Sequence, residues 1–361
     1  VGGFVGGVIA FFIGSRLGRR RTILSGLTVC FVGAIVQCTA TNLGELVAGR
    51  LICGIGVGTM TSTVGLWQAE VVQGRTRGMF LTLQLLLGAA GGIILAQWIN
   101  YGFHSYTGRV SFVFPLAFQL VFVATSATLI SILPESPRWL LKQGRRDECR
   151  QVLSRLDPGN EAAVDARLAQ IVEAVELEMG AGDNQYRQLI SNGPTQNFRR
   201  LCLACGTMIM HQLTGINSVT YYVPTLLITF AKTSHDTALW VAGLTSILSA
   251  VFATIPVLTI DHIGRRPLLW GGCILQCLTW VIVAALLATQ PPPTDKDSHT
   301  FGVAAVAMLY LFFCINAATW LGPSWAYPAE ILPLQIREKG LALGNVCYWL
   351  FQFMMVEITP I

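Results

Sequence analysis

Charged side chains are scarce in this sequence. Asp, Glu, Lys and Arg make up only 12% of the 361 residues, while 53% of the residues are hydrophobic and the mean hydropathy is +0.58. Soluble globular domains contain about 25% charged residues, so the composition excludes that class. The chain is therefore predicted to be an integral, multi-pass membrane protein built from helices.

The sequence also lacks the groupings that enzymes and cofactor-binding proteins need. No apolar segment combines a nucleophile with an acid–base pair or a metal cluster, and His211 has no carboxylate partner within its own segment. The ten cysteines lie almost wholly in apolar segments, where we expect them to act as small core residues. We therefore predict that the protein is not an enzyme and holds no metal and no cofactor.

A run of glycines, Gly49, Gly54, Gly56 and Gly58, superficially resembles a phosphate-binding loop. It lies inside an apolar segment, no strand precedes it, and no Gly-Lys-Ser/Thr follows. We interpret these glycines as points of close helix packing.

What the sequence does contain is a train of ten apolar segments. Most of them are about long enough to cross a bilayer as helices that rise 1.5 Å per residue. They cover residues 1–13, 22–40, 46–67, 79–101, 110–133, 201–230, 238–260, 267–289, 302–327 and 340–361.

The positive charges follow a simple pattern between these segments. Most of the 24 Lys and Arg residues fall in alternate loops, and the other loops hold only Arg109, Lys232 and Lys296. Cytosolic loops of membrane proteins carry an excess of Lys and Arg, so the crowded loops are predicted to face the cytosol. Membrane topology thus explains the net charge of +5, and no nucleic-acid partner is expected.

Residues 134–200 form the only long polar stretch, with two amphipathic, charge-rich segments at residues 145–156 and 161–179. This stretch divides the chain into three predicted parts. They are an N-terminal transmembrane bundle at 1–133, a cytosolic linker with amphipathic helices at 134–200, and a C-terminal transmembrane bundle at 201–361.

An internal repeat relates the two predicted bundles. Gly18-Arg19-Arg20 returns as Gly264-Arg265-Arg266, and the pair Glu70 and Arg77 returns as Glu330 and Arg337. Parallel halves of this kind build a large class of transporters. Because two apolar segments precede the second copy and only one precedes the first, we expect the chain to lack one span before Val1 and one after Ile361.

Four motifs, in this order, resemble the sugar porters of the major facilitator superfamily over essentially the whole chain. They are Pro134-Glu135-Ser136-Pro137-Arg138-Trp139-Leu140, Gln212-Leu213-Thr214-Gly215-Ile216-Asn217, Asp261-His262-Ile263-Gly264-Arg265-Arg266 and Gly322-Pro323-Ser324-Trp325. The resemblance implies the superfamily fold, with two pseudo-symmetric helical bundles joined by a cytosolic helical linker.

The resemblance also implies a function, namely transport of a monosaccharide or related sugar across the plasma membrane by alternating access. A non-transporting sugar sensor on the same scaffold is the alternative. Proton symport and facilitated diffusion both stay open. A symporter of this family carries its ionisable residue in the first span, which this chain is expected to lack. The expected partners are a small sugar, protons in the case of symport, and the lipid bilayer.

The segment at residues 201–230 carries polar residues at mid-membrane depth, where irregular backbone is tolerated only beside a cavity. Gln212 and Asn217 would point about 140° apart on a straight helix, whereas a break at Gly215 would bring both amides to one ligand. Amides carry donor and acceptor together, which suits sugar hydroxyls, but amides also commonly bridge transmembrane helices.

By the family resemblance, Gln212, Asn217 and Tyr221 match positions that line the sugar cavity. His211 stands where the family usually has a second glutamine, and it can serve as a hydrogen-bond donor to sugar, a proton-titrating group or a plain buried histidine. The glycine and proline of Gly322-Pro323 should break the segment at 302–327.

The remaining predicted substrate contacts also rest on the resemblance. Trp325 matches a position that contacts sugar and takes part in gating. Gln97 matches a further sugar-facing position, and Tyr348 replaces an asparagine. The family's other sugar-facing glutamine aligns with Leu85, one position from Gln84, so either the helix register differs or that contact is lost.

A second predicted constellation consists of charges at the cytosolic helix ends, which the family uses as an inner latch. Opposite charges at these ends can bridge helices, although solvated charge alone would explain them as well. The members are Arg19, Arg20, Glu70, Arg77, Glu135, Arg138, Arg265, Arg266, Glu330 and Arg337.

Overall fold

The computed structural model describes residues 1–72, 77–106, 108–180, 185–193, 195–230, 234–289, 291 and 297–359. Every regular element in these ranges is a helix. In chain order the helices are α1 (Gly2–Leu17), α2 (Arg19–Thr39), α3 (Leu43–Val71), α4 (Arg77–Leu85), a short π-helix (Leu86–Ala90), α5 (Gly91–Phe103), α6 (Val110–Ile132), α7 (Pro137–Lys142), α8 (Arg146–Leu156), α9 (Glu161–Gly180), α10 (Gln185–Ile190), α11 (Asn197–Leu213), α12 (Ile216–Phe230), α13 (His235–Ile263), α14 (Arg265–Ala288), α15 (Asp297–Thr319), α16 (Pro323–Ile331) and α17 (Arg337–Ile358).

Within the described residues, eight helical stretches are long and apolar enough to cross a membrane. They are Arg19–Thr39, Leu43–Val71, Thr82–Phe103, Val110–Ile132, His235–Ile263, Arg265–Ala288, Thr300–Ile331 and Arg337–Ile358. Gly2–Leu17 is apolar but shorter. The chain is therefore an integral, multi-pass membrane protein.

The chain groups into two compact units, each built from three segments. The first unit comprises Val1–Gly74, Leu116–Met208 and Pro328–Leu350, and the second comprises Arg75–Pro115, Ile209–Tyr327 and Phe351–Ile361. Several helices contribute residues to both units. The three-part division at residues 133 and 200 remains a prediction.

In the first unit, α3 packs against α1 and α2 through glycine. A Cβ atom on Gly56 would lie 2.6 Å from the backbone nitrogen of Cys30 on α2. One on Gly58 would lie 2.8 Å from the Cα of Gly3 on α1. Real Cβ atoms do not approach other atoms so closely, so only glycine fits. This confirms that the glycine run serves close helix packing.

The two amphipathic segments of the polar stretch are confirmed as α8 and α9. Ser136 begins α7 by accepting a hydrogen bond from the backbone nitrogen of Trp139, with Pro137 at the first helical position. The apolar faces of α7, α8 and α9 then form one small core around Trp139, Leu140, Cys149, Val152, Leu153, Val164 and Leu168. These helices form because each buries one face and leaves the opposite face charged.

Candidate functional site

The helix break that the sequence predicts at Gly215 is present in the second unit. Helix α11 ends at Leu213, α12 begins at Ile216, and Gly215 has a φ of 85°, which favours glycine. The indole nitrogen of Trp280 on α14 donates to the carbonyl oxygen of Thr214 at 3.1 Å. A backbone acceptor that the break leaves free is therefore paired with a donor from the protein itself, as the membrane requires.

The break brings the two predicted amides together. Asn217 Nδ2 donates to Gln212 Oε1 across it. Gln212 is fully buried, and its Nε2 has no hydrogen-bond partner among the described residues. A buried amide nitrogen without a partner is costly, and such a group is a candidate for pairing with a ligand or water.

A cavity of about 90 Å³ lies beside this region, wholly within the second unit. Helices α5, α12, α13 and α15 and the π-helix line it, mostly with apolar side chains. Six polar residues also line it, namely Gln97, Thr220, Thr245, Ser246, Ser249 and Asn316. A water needs about 10–15 Å³ of such space, so the cavity has room for a small polar molecule or several waters.

Asn316 is the cavity's buried donor. It is 3% exposed, and its Nδ2 has no hydrogen-bond partner among the described residues. Three of the hydroxyls point their hydrogens elsewhere, because Thr220, Thr245 and Ser246 donate to backbone carbonyls one turn back on their own helices. Their oxygens keep lone pairs, so the wall offers an amide donor and several hydroxyl acceptors.

Of the predicted substrate residues, only Gln97 lines this cavity. On α12 it is Ile216 and Thr220 that line it, one position before Asn217 and Tyr221 respectively. Tyr221 is exposed, and its hydroxyl accepts from Gln352 Nε2 at 3.2 Å.

His211 and Trp325 lie on the two broken spans of the second unit. His211 is buried, its Nδ1 is 3.2 Å from Ser324 Oγ, and its ring stacks at 6.1 Å on Trp320. Helix α15 ends at Thr319 and α16 begins at Pro323, which confirms the predicted break at Gly322-Pro323. Trp325 follows on α16 and is half-buried.

The π-helix Leu86–Ala90 changes the helix register close to Gln84 and Leu85, where the sequence left the register open. It follows directly after Gln84 and Leu85, and a π-turn adds one residue relative to an α-helix. The side chains after it are therefore rotated relative to those before it, and Gln97 reaches the cavity while Gln84 is half-buried outside its lining. Tyr348 belongs to the first unit, where its ring packs edge-on against Trp349.

The first unit holds the core of the predicted charge network. Arg19 is 2% exposed, and its Nε and Nη2 each lie 3.1 Å from a carboxylate oxygen of Glu70. Its Nη2 also donates to Glu338 at 2.9 Å. Arg138 and Arg337 line the same small recess. Glu338 lies one position beyond the predicted Arg337 and was not itself predicted.

Other members of the network have local roles. Glu135 accepts hydrogen bonds from the backbone nitrogens of Arg19, Arg20 and Ser136, so it caps the start of α2. Arg265 pairs with Asp261 one turn back at 2.9 Å, while Arg266 and Glu330 are exposed. The side chain of Arg77 lies outside the described residues.

Asn316, Thr220, Thr245, Ser246 and Ser249 were also missed. The available signal was their polarity inside apolar segments. That signal alone does not tell which face of each helix meets a cavity.

Comparison with known proteins provides independent information. A family model described as sugar (and other) transporter matches residues 1–361. The MFS-type transporter oryC of Aspergillus oryzae is 35% identical, over 100% of this chain and 67% of that protein. The sugar transporter STL1 of Saccharomyces cerevisiae is 30% identical, over 100% of this chain and 63% of that protein.

Solved structures show the same fold. One of them is the structure of the E. coli proton:xylose symporter XylE bound to 6-bromo-6-deoxy-D-glucose. This chain matches it with a TM-score of 0.84. It is 21% identical in sequence, over 99% of this chain and 76% of that chain. The chain thus spans about two thirds to three quarters of the proteins that it matches.

Proposed function

Because the chain belongs to the sugar (and other) transporter family, we propose that the protein moves a monosaccharide or related polyhydroxylated substrate across the plasma membrane by alternating access. Its fold is that of the major facilitator superfamily. The family consists of transporters and not of enzymes. The substrate, the proton coupling and the membrane in which the protein acts belong to the proposal.

The observation that carries the proposal is the polar wall of the cavity in the second unit. Asn316 and Gln97 supply amides, and three hydroxyls beside them keep free acceptor lone pairs. A sugar presents hydroxyls that donate and accept at once, so it can satisfy this mixture. The apolar remainder of the lining suits the C–H faces of a sugar ring. The name of the relative STL1, a sugar transporter, agrees with this substrate class.

The charges of the first unit support the alternating part of the proposal. Arg19 on α2 and Glu70 on α3 belong to the first half of the repeat, and Glu338 on α17 belongs to the second. Opening of the cytosolic side would separate the halves and break the bond to Glu338. We therefore assign these three residues as an inner latch between residues 1–133 and 201–361.

Coupling to protons is the finer part of the proposal. We propose symport, which the proton:xylose symporter of the same fold supports by analogy. Uptake of labelled sugars should be measured in cells without their own sugar carriers, with the complete open reading frame expressed. An inward proton gradient should increase the saturable uptake if transport is coupled to protons, and it should have no effect under facilitated diffusion.

The site is tested by a matched pair of variants. Asn316→Ala removes the buried amide from the cavity wall, and it should raise the KM for sugar about tenfold, equivalent to one buried hydrogen bond. Asn197→Ala removes a buried amide at the start of α11, outside the cavity, whose hydrogen bonds are already made to Gln188 and Thr195, and it should leave KM unchanged. An equal effect of both variants would count against the cavity as the sugar site. If no sugar gives saturable uptake although the protein is present at the membrane, the sugar-sensor alternative would replace the transport proposal.

A further inference from the structure

A groove of about 520 Å³ opens at the cytosolic end of α2, within the first unit. One wall is the start of α2, with Arg20, Arg21 and Leu24, and the other is the charged face of α8. Neither wall lines the cavity of the second unit or contains Arg19, Glu70 or Glu338, although Arg20 and Glu135 belong to the predicted charge constellation.

The groove carries more positive than negative charge. Four arginines line it against two carboxylates, Glu135 and Glu148. Glu135 accepts the backbone nitrogens at the start of α2. Glu148 pairs through two hydrogen bonds, of 2.5 and 2.7 Å, with Arg145. Both carboxylates are therefore already engaged.

Three guanidinium groups remain without a carboxylate partner among the described residues. Arg21 and Arg155 are exposed and make no hydrogen bond to a described residue. Arg20 donates to the carbonyl oxygen of Ser131, while its Nε is buried and has no partner in the described part of the chain. A buried guanidinium nitrogen without an acceptor favours an added anion beside it.

The fold fixes the positions of the arginines on both walls of the groove, Arg20 and Arg21 at α2 and Arg145 and Arg155 at α8. On α8, Cys149, Val152 and Leu153 are buried in the linker core, and the adjoining face, with Gln151 and Arg155, borders the groove together with Val152. On α2 the groove residues occupy the first turn of a membrane-spanning helix, and Leu24 lies one turn further into the span. The groove therefore has a cationic mouth and an apolar end that leads along α2.

We propose that this groove binds an anionic phospholipid whose headgroup carries additional phosphate groups, with its acyl chains against α2. Planar guanidinium groups bind phosphate oxygens in pairs, and three of them match more than one phosphate. Basic pockets at the cytosolic ends of spanning helices are suited to such headgroups. A free inositol phosphate shares the headgroup chemistry but has nothing to place beside Leu24.

The internal repeat provides a matched control. Arg266 occupies the place in the second copy that Arg20 occupies in the first, and Pro267 stands in the place of Arg21. Neither Arg266 nor Pro267 lines the groove. Loss of charge at Arg266 changes the net charge of the protein without changing the groove.

The test is binding of a fluorescent, short-chain phosphatidylinositol bisphosphate to the purified chain in neutral detergent, measured by anisotropy. The double variant Arg21→Gln, Arg155→Gln should weaken binding at least about tenfold. Each substitution removes one electrostatic contact between a guanidinium group and the headgroup phosphates. Both side chains are exposed, so melting temperature should stay unchanged. Arg266→Gln should bind within about twofold of the parent chain.

Three outcomes would overturn the proposal. These are equal losses in the double variant and in Arg266→Gln, equal binding of a zwitterionic phosphatidylcholine probe, or no saturable binding at all. If soluble inositol phosphates displace the probe as strongly as the unlabelled lipid does, that result would assign the groove to a free phosphate ligand and would remove the acyl chains from the proposal. Weaker competition by the soluble headgroup supports the lipid.

Discussion

Arg19 and Glu338, which are 319 residues apart in sequence, are joined by a 2.9 Å hydrogen bond between Nη2 and Oε2. The same guanidinium holds Glu70 on its other side, and Arg19 is almost fully buried. A buried arginine is tolerated here because two carboxylates neutralise it and fill its donor positions. One side chain therefore ties α2, α3 and α17 together.

Glu338→Gln should weaken this connection. A hydrogen bond to a charged group contributes about 1.5–3 kcal/mol, so its loss should shift the population toward the state open to the cytosol by about tenfold or more. Accessibility of a cysteine introduced near the recess to a membrane-impermeant thiol reagent, applied from the cytosolic side, reports the shift. Glu357→Gln removes an exposed carboxylate from the other end of α17 and is the control, which should leave the labelling rate unchanged. Unchanged labelling in Glu338→Gln would remove the latch from the mechanism.

Gly56→Ala should destabilise the packing of α3 on α2. The new Cβ would lie 2.6 Å from the backbone nitrogen of Cys30, and backbone cannot move aside cheaply, so we expect a loss of about 1–3 kcal/mol in the free energy of unfolding. Gly65→Ala on the same helix meets no atom within 4 Å and should be neutral or slightly stabilising. Thermal unfolding in detergent compares the two. Similar melting temperatures would contradict the packing role.

A pH dependence is expected from His104, which follows α5. Its Nδ1 donates to the carbonyl oxygen of Tyr101 at 2.5 Å, and its Nε2 lies 2.8 Å from a carboxylate oxygen of Asp236. These partners raise the pKa of His104 above 6.5, the backbone bond being the larger cause. The pair therefore contributes its full stability below pH 6.5, and this contribution is lost as the pH rises through the higher folded-state pKa.

The measurement is the melting temperature at about pH 5.5 and about pH 8, on either side of this range. The parent chain should lose more stability than Asp236→Asn between the two values, because the variant lacks the charge partner. His235→Gln removes an exposed neighbouring histidine and should keep the parental difference. If Asp236→Asn follows the same pH curve as the parent, the pair makes no contribution.

Trp280→Phe should destabilise the helix break at Gly215. The indole nitrogen is the donor to the Thr214 carbonyl, while the ring packs edge-on against Phe312, and phenylalanine keeps the ring but not the donor. The unpaired carbonyl should cost about 1–3 kcal/mol in the free energy of unfolding. Trp270→Phe, on the same helix and largely exposed, should change little. Equal unfolding of the two variants would show that the break does not need this bond.

The breaks at Gly215 and at Gly322-Pro323 were predictable because they rest on local backbone chemistry. Arg19 and Glu70 were grouped among the charges at cytosolic helix ends that can bridge helices, and only the structure shows that these two pair. Glu135 was grouped with that network from its charge alone, yet its carboxylate caps α2, because it accepts hydrogen bonds from the backbone nitrogens of Arg19 and Arg20.

Asn316 shows where sequence reasoning stops. Its polarity inside an apolar span is visible in the printed sequence, but whether the amide meets lipid, another helix or a cavity depends on the packing of α5, α12, α13 and α15. Gln212 and Asn217 were expected to share a ligand. In the structure they bond to each other, which leaves Gln212 Nε2 as the group without a partner.

By itself, the sequence determined the membrane class, the spans, the amphipathic linker helices and the places where spans break. These follow from hydropathy, charge position and the conformational limits of glycine and proline, all of which act over a few residues. Only the tertiary structure decided which side chains line the cavity, which carboxylate completes the shell of Arg19, and which arginines remain unpaired at the groove. Those relationships join residues far apart in the chain, and the energies that select them arise only when the helices pack.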